Sequence, residues 1–387
     1  MYELFIALRH LTSRRRQTIF SVLAVGLAVT LLVWSQAMMV GFTDELYAKT
    51  VDRMAHVTVE PKPDEDYIHL YRKLTEDIRG VDGVVGVSPV LTGQATFEYK
   101  DMNKNVAMQG IQVAAHDSVL HINDNIIKGS FRDVEATQGS VVVGDALAEK
   151  LDVDIDDTID ASFPEANPAA LKVVGIYDSG TPLDETLALT SMSTAQDFFD
   201  VSNVVNSILV RVDDREQAQA ISERIDAMGY PASSWKETNP EIIQTLKLEG
   251  TSNAIILGLI IVIASFGIVS TMFMVVMEKT KEIGMLMAMG VSRRSIMTIF
   301  VMESGILGLL GAILGVMLGA TLAIQMGSYT YEVGEEAMAG ITTIPFVVRL
   351  QDAVIIVLFT FLLNLIAGIY PASRASKLKP VEAIGRE

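Results

Sequence analysis

Four long apolar stretches dominate the hydrophobic pattern of this chain. They cover residues 17–43, 250–277, 304–331 and 353–373, and none of them contains Asp, Glu, Lys, Arg or His. A helix needs about 20 apolar residues to cross the roughly 30 Å hydrocarbon core of a bilayer, and every stretch reaches that length. The pattern therefore predicts four transmembrane helices rather than four buried helices of a soluble protein. The first stretch exceeds the roughly 7–15 apolar residues of a signal peptide, so we interpret it as a retained span.

The polar segment 44–249 alternates helical and strand patterns. Apolar residues recur at helical spacing in some stretches and at every second position in others. This alternation predicts a large α+β domain whose ends, 43–55 and 240–248, continue the neighbouring spans as a helical stalk. The predicted helices are 64–79, 145–151, 194–199 and 215–228, and the predicted strands are 84–90, 96–99, 140–143, 171–176 and 207–212.

Basic residues mark one side of the membrane. Lys and Arg accumulate on the cytoplasmic side of short loops, and segments 1–16, 278–303 and 374–387 all carry an excess of them. Four spans put these three segments on the same side, which predicts a multi-pass protein of the cell membrane with both termini in the cytoplasm. The expected order is an amphipathic N-terminal segment 1–16, helix 1 at 17–43, the extracytoplasmic domain 44–249, helix 2 at 250–277, a cytoplasmic loop or helix 278–303, helix 3 at 304–331, a short outer loop 332–352, helix 4 at 353–373 and a cytoplasmic tail 374–387.

Composition changes this picture in two ways. The chain has no cysteine, which excludes disulfides and thiolate chemistry, so the outer domain must be held by its own core. Segment 44–249 holds 17 Lys and Arg against 37 Asp and Glu, whereas the whole chain has a net charge of −17. We interpret this as a solvated acidic surface in preference to one that selects a basic partner. We expect no nucleic-acid partner.

Motifs of catalytic and cofactor sites are missing from the sequence. It contains no G-x-x-x-x-G-K-[ST] phosphate loop, no H-E-x-x-H metal motif and no G-x-S-x-G nucleophile turn, and its five histidines lack metal-ligand spacing. The spans contain no charged residue of the kind that ion pumps and secondary transporters carry within the membrane. We therefore predict neither a catalytic residue nor a cofactor, and we do not expect the chain to be an enzyme by itself.

The loop between the second and third spans predicts a short cytoplasmic helix. Ile283, Leu286 and Met287 fall at helical spacing, Gly290 allows a break, and Ser292 is a suitable cap for the next helix. The apolar face can lie in a groove of another protein, or it can rest on lipid. The residues themselves leave both interpretations open.

The third span carries a ladder of glycines. Gly311, Gly315 and Gly319 form two overlapping G-x-x-x-G units, a spacing that lets helix backbones approach closely in a membrane. The ladder predicts close helix packing, either within this chain or between two chains.

The loop and the third span together resemble the FtsX-type permease module of ATP-binding-cassette (ABC) transporters. The similar features are Glu282-Ile283-Gly284, Gly290, Arg293, Glu303 and the glycine ladder. The tail resembles the end of that module, and the outer segment resembles the MacB-like periplasmic core and the lipoprotein-releasing LolC/LolE type. These similarities lie at Tyr370-Pro371-Ala372-Ser373-Arg374-Ala375, Val143-Gly144-Asp145-Ala146-Leu147 and Val174-Gly175-Ile176-Tyr177-Asp178-Ser179-Gly180. One departure is Asp156-Asp157, where the family usually has Gly-Asp.

The resemblance implies a permease subunit of a type VII ABC transporter. Two permease subunits, identical or paired, would recruit separate cytoplasmic ATPase subunits, and the stalk would carry their motion to the outer domain. That domain would move a substrate such as a lipoprotein, lipid or peptide, with a carrier protein as a possible partner. The residues implied to couple to the ATPase are Glu278, Glu282, Ile283, Gly284, Leu286, Gly290, Arg293 and Arg294.

Two other functions fit the same residues. FtsX-like proteins activate an extracytoplasmic partner without transport, and a membrane sensor would need no ATPase. An ATPase gene beside the gene of this chain would exclude the sensor, and a hydrolase or a lipoprotein carrier as the bound partner would distinguish the other two functions.

The predicted topology can be tested directly, because the chain lacks cysteine. A membrane-impermeant maleimide added to intact cells should label Lys104→Cys, whereas Ser292→Cys and Lys377→Cys should react only after permeabilisation. The cysteine-free parent provides the background. Labelling of Ser292→Cys without labelling of Lys104→Cys would show that the orientation is reversed.

Overall fold

The computed structural model describes residues 2–13, 15–164, 166–327 and 345–377. The chain divides into two compact units. One unit holds the described residues of Met1–Asp44, Leu246–Val333 and Thr342–Glu387, and the other holds those of Glu45–Thr245. We call them the membrane unit and the outer unit.

Helices account for almost all of the described membrane unit. In chain order the α-helices of the described residues are α1 Tyr2–Ser13, α2 Arg15–Lys49, α3 Tyr71–Arg79, α4 Val113–Leu120, α5 Asp133–Ala136, α6 Asp145–Leu151, α7 Met192–Phe198, α8 Ala218–Asp226, α9 Trp235–Thr238, α10 Pro240–Glu278, α11 Thr280–Ala288, α12 Arg293–Gly327 and α13 Leu350–Ser376.

Four of these helices, α2, α10, α12 and α13, are long and apolar enough to cross a membrane, which confirms the four predicted spans. Helices α2 and α10 have 35 and 39 residues, so each is more than about 50 Å long at 1.5 Å per residue. Both therefore continue well beyond a hydrocarbon core of about 30 Å. The residues predicted to end the third span, 328–331, most of the short outer loop and the tail from 378 lie outside the described residues.

The outer unit is built on one mixed β-sheet. Its order is β12-β1-β11-β3-β4-β9-β6-β8-β5, with β7 pairing with both β3 and β8, while β2 and β10 form a separate pair. The strands are β1 Val57–Val59, β2 Ile68–His69, β3 Val84–Tyr99, β4 Met102–Ile111, β5 Ile126–Gly129, β6 Ser140–Gly144, β7 Thr158–Ser162, β8 Ala169–Tyr177, β9 Leu187–Ser191, β10 Val204–Val205, β11 Ser207–Val212 and β12 Ala232–Ser234.

Burial follows the position of each strand in this sheet. Strand β6 lies between β9 and β8 and is buried at every residue, as expected for a strand covered on both faces. Strand β11 instead buries Ile208, Val210 and Val212 alternately, so it has one inner face. The α+β class of the domain is therefore confirmed, and its cores lie against the faces of the sheet.

The structure corrects several predicted boundaries. The predicted helix 64–79 is helical only in α3, because β2 precedes it and Leu70 between them has a φ of 55°. The two predicted strands 84–90 and 96–99 form the single long strand β3, which pairs with β11 in its first half and with β4 and β7 in its second half. Periodicity could not show this continuity, because the two halves have different neighbours.

Two histidines are buried in the outer unit. His116 is completely buried, its Nδ1 lies 3.2 Å from Ser88 Oγ, and its Nε2 has no hydrogen-bond partner among the described residues. Burial lowers the pKa of His116 to about 4. His56 is also buried, and burial together with the nearby Arg211 cation lowers its pKa. Both side chains are therefore neutral in the folded domain near neutral pH.

The outer unit should lose stability as the pH falls. A histidine with a lowered folded pKa stabilises the fold fully above the unfolded value of about 6.5, and this contribution disappears as the pH falls towards 4. For His116 the slope should approach about 1.4 kcal/mol per pH unit in that window. Urea unfolding can be followed through Trp235 emission in a Trp34→Phe background. His116→Gln should reduce the slope and leave the part that His56 contributes; an unchanged slope would contradict the assignment.

Candidate coupling site

Helix α11 is a separate short helix with a defined end. It begins two residues after α10 ends, and the N–H groups of Gly290 and Val291 donate to the carbonyls of Met287 and Leu286 at 3.1 and 3.0 Å. This pair of bonds is a Schellman motif, which closes a helix with a residue in the left-handed region. Gly290 occupies that position with a φ of 96° and has no atom within 4 Å of an added Cβ. Glycine is needed there for the backbone angle and not for space.

Ser292 begins the next helix. Its Oγ accepts a hydrogen bond from the N–H of Ser295 at 3.1 Å, which caps the free amides at the start of α12. Helix α12 then runs without interruption through residues 293–303 into the third span. The predicted cytoplasmic loop 278–303 is therefore two helices joined by one tight turn.

The inner face of α11 packs on the membrane unit itself. Ile283 is 2% exposed and Gly284 is buried, while Leu286 and Met287 are partly buried. Ile283, Leu286 and Met287 belong to the apolar cluster of the membrane unit, which also contains residues of α1, α2, α10, α12 and α13. The sequence left open whether this face lies in a groove of another protein or on lipid; in the structure most of it is covered by the chain itself.

The opposite face of α11 is open. Glu282, Met285 and Met289 lie three and four residues apart, and the two methionines are 55% and 74% exposed. A short row of flexible, polarisable side chains beside a carboxylate suits a protein surface that packs against a groove. The exposed face of α11 is therefore the one that carries Glu282, Met285 and Met289, and not the one that carries Ile283.

Charged groups surround this exposed row. The Lys279 ammonium, which is almost buried, pairs with the Glu282 carboxylate, and Glu278 accepts from Gln17 Nε2 at 2.8 Å. Arg293 and Arg294 are exposed, and neither has a carboxylate within 4 Å in the described part of the chain.

The glycine ladder faces α2 of the same chain. A Cβ at Gly311 would lie 2.7 Å from the Cβ of Val25, one at Gly315 would lie 2.5 Å from the Gly26 carbonyl oxygen, and one at Gly319 would lie 2.8 Å from the Cβ of Val33. No real Cβ makes contacts this short. Of the two alternatives for the ladder, packing within one chain is the one seen, and this face is not available to a second chain.

Other residues at the base of the outer unit were not found from the sequence. The Tyr47 ring meets Trp235 edge to face with centroids 5.9 Å apart, and the Arg215 guanidinium lies 4.1 Å from the centre of the Tyr47 ring. Arg215 Nη1 also donates to both carboxylate oxygens of Asp52 at 2.8 Å. This cluster ties the end of α2 to the residues just before α10. No local pattern could reveal it, because its members are separated by up to 188 positions (residues 47–235).

Three carboxylates of the outer unit, Asp145, Asp178 and Asp184, come within ligand distance of one another. Asp184 is nevertheless occupied as an acceptor, with the N–H and Oγ of Ser179 at 2.9 and 2.5 Å. Its backbone also packs so closely on Gly144 that an added Cβ would lie 2.1 Å from the Asp184 carbonyl oxygen. These residues form a packed turn, and we assign no metal to them.

Replacing a ladder glycine tests the packing of α12 against α2. Gly315→Ala should lower the thermal unfolding midpoint of the purified chain, with an overpacking cost of about 1–3 kcal/mol, because the obstructing atom belongs to the backbone. Gly267→Ala in α10 is a matched control, since nothing lies within 4 Å of its added Cβ. That control should be neutral or slightly stabilising, as alanine favours a helix. Equal tolerance of both substitutions would show that the two helices are not so close.

Family models match most of the chain. The model described as FtsX-like permease C-terminal matches residues 254–380, and the model described as MacB-like periplasmic core domain matches residues 18–228. The first match contains α11, Gly290 and the glycine ladder, and the second contains nearly all of the outer unit.

Individual relatives agree with these matches. The chain is 26% identical to the lipoprotein-releasing system transmembrane protein LolC of Xylella fastidiosa, over 99% of this chain and 98% of that protein. It is 25% identical to LolE of Haemophilus influenzae, over 94% and 93% of the two chains. It is 24% identical to the macrolide export ATP-binding/permease protein MacB of Bdellovibrio bacteriovorus, over 79% of this chain but only 48% of that protein.

Proposed function

The chain belongs to the MacB/FtsX superfamily as an ABC transporter permease of the LolC/LolE and MacB type, and on this premise we propose that it couples a separate ATPase to work outside the membrane. In this proposal the mechanism is that of type VII ABC transporters. The substrate class is a lipoprotein, lipid or peptide, which is moved or released on the outer side. The observation that carries the proposal is the exposed face of α11, which a Schellman turn holds in a defined position.

The ATPase would bind at the open row of α11. Met285 and Met289 would enter a groove, while Glu282 and the exposed Arg293 and Arg294 would meet charges at its rim. Ile283, Gly284 and Leu286 would act indirectly, by seating α11 on α12 and α13. Glu278 would hold the end of α10 to α2 through Gln17. A movement of the ATPase against α11 would then be transmitted to α10, α12 and α13 together.

Helix α10 supports the presence of a second permease subunit. Gly250 and Gly258 have no atom within 4 Å of an added Cβ, and Ile256, Leu259 and Phe266 are exposed along the helix. Glycines usually mark close helix packing in a membrane, and the ladder of α12 is already covered. The open side of α10 is therefore the surface we assign to a second subunit, identical or paired.

The outer unit would receive the motion through α2 and α10. Both helices continue past a membrane thickness, and the cluster of Tyr47, Arg215 and Trp235 joins the end of α2 to the residues just before α10. Buried aromatic contacts and a cation over a ring resist separation better than isolated surface pairs do. The charge bias predicts that both termini lie in the cytoplasm. Closure of the ATPase subunits on that side would then be transmitted to the outer unit without a polar channel through the bilayer.

Two substitutions test the docking of the ATPase. Glu282→Lys should reduce ATPase recruitment at least tenfold, because it reverses a charge on the proposed docking surface. Gly290→Val should do the same by placing a β-branched residue at a φ of 96°, which costs about 1–3 kcal/mol and disturbs the end of α11. The measurement is co-purification in mild detergent with the ATPase, followed by substrate-stimulated hydrolysis.

Each substitution has a matched control in the outer unit. Glu76→Lys makes the same charge change on an exposed surface, and Gly229→Val creates the same strain at a φ of 92°. Both controls should retain recruitment. Normal assembly and transport in Glu282→Lys and Gly290→Val would refute the docking site. If recruitment is normal but no substrate moves and a hydrolase is bound outside, the FtsX-like regulator is the correct function.

A further inference from the structure

Helix α1 is fastened to α12 by its inner face. Ala7 and Leu11 are buried there, and the Tyr2 hydroxyl donates to Ser295 Oγ at 2.8 Å. At the other end of the helix, His10 Nδ1 lies 3.4 Å from the Glu303 carboxylate, which is only 4% exposed. These contacts hold α1 along the first three turns of α12, next to the turn that follows α11.

The outer face of α1 is apolar and uncovered. Leu4, Phe5 and Leu8 are 47%, 64% and 46% exposed and form one stripe at helical spacing. A water-exposed stripe of this size is unfavourable, since each buried methylene would contribute about 0.8 kcal/mol. Ile19 and Phe20, on the first turns of the membrane span α2, are exposed as well. Helix α1 ends only two positions before α2 begins, so the stripe lies close in the chain to the point where this span enters the bilayer.

Arginines flank the stripe. Arg9, Arg15 and Arg16 are exposed, and none of them has a carboxylate within 4 Å among the residues that the structure describes. A basic amphipathic helix beside a membrane span gains energy from both hydrocarbon and anionic headgroups. A protein groove would satisfy the stripe as well, but it would have to be both apolar and acidic and begin at the membrane edge. The charge and the position together favour lipid.

We propose that α1 is a docking surface for anionic lipid headgroups and that this contact steadies the coupling element. Leu4, Phe5 and Leu8 enter the boundary of the hydrocarbon, and Arg9, Arg15 and Arg16 bind lipid phosphates. The effect reaches α11 through Ser295, because its Oγ lies 3.1 Å from the Oγ of Ser292, the cap of α12. Lipid-bound α1 thereby holds the start of α12 against the turn at Gly290.

The experiment uses the full chain alone in nanodiscs, without ATPase or substrate, so its result is independent of the proposed function. Hydrogen exchange is measured for the amides of residues 280–292 in phosphatidylcholine and in phosphatidylcholine mixed with phosphatidylglycerol. Exchange should be slower in the anionic discs by at least about fivefold, the factor that a single arginine contributes near such a surface. Equal exchange in the two lipids would overturn the proposal.

Two variants separate this effect from general charge. The triple substitution Arg9→Gln, Arg15→Gln and Arg16→Gln should abolish the lipid difference. The control, which makes the same change at the exposed Arg79, Arg132 and Arg224 of the outer unit, should preserve it. Loss of the difference in the control would show a bulk charge effect and overturn the proposal.

A further variant tests the apolar stripe. Phe5→Ser with Leu8→Ser should speed exchange of residues 280–292 in both lipids, while circular dichroism reports an unchanged helix content. If protection of these amides appears only when an ATPase is added, a protein covers α1 and the lipid assignment is wrong.

Discussion

Close approach at glycine is the interaction on which the membrane unit depends. Helices inside a bilayer gain nothing by hiding apolar surface from lipid, so they associate through van der Waals contact and hydrogen bonds. Helix α12 meets this constraint on two faces. At Gly311 and Gly315 the missing side chain lets α2 approach closely, and at Gly308 it makes room for Asn364 of α13. An added Cβ at any of these glycines would overlap a neighbour. Residues of α1 and α11 belong to the same apolar cluster, so the positions of these two helices depend on the close contacts at the glycines.

The outer unit is stabilised by different physics. Water surrounds it, so the burial of apolar side chains drives its folding, and its many acidic side chains lie mostly on its surface. Its buried groups show how complete the burial is: Trp235 and Tyr177 are almost wholly enclosed, and His116 is forced into its neutral form. The same chain thus uses hydrocarbon packing in one unit and hydrophobic burial in the other. Helices α2 and α10 must satisfy both, which explains their unusual length.

The two sides of α11 differ in burial. One side seats the helix on the membrane unit, and the other side is exposed. Ile283 and Gly284 lie on the buried side, and Glu282, Met285 and Met289 lie on the exposed side. Sequence periodicity finds the apolar side readily, but an apolar side is ambiguous, because a chain can bury it against itself or against another protein. Here the chain buries the apolar side against itself, so the surface that stays accessible is formed by the exposed residues between the apolar positions.

The sequence by itself determined the four spans, the position of the outer domain between the first two, its α+β class and the short helix closed by Gly290. Each of these follows from local physics: the length of an apolar run, the period of burial, or one glycine's backbone freedom. Only the tertiary structure decided that β3 is one strand that pairs with β11, β4 and β7, that the glycine ladder faces α2, and that α11 buries its apolar side. It also brought Tyr47 beside Trp235 and His10 beside Glu303. Such pairings join residues that are distant in the chain, and no local preference encodes which distant surface will be buried.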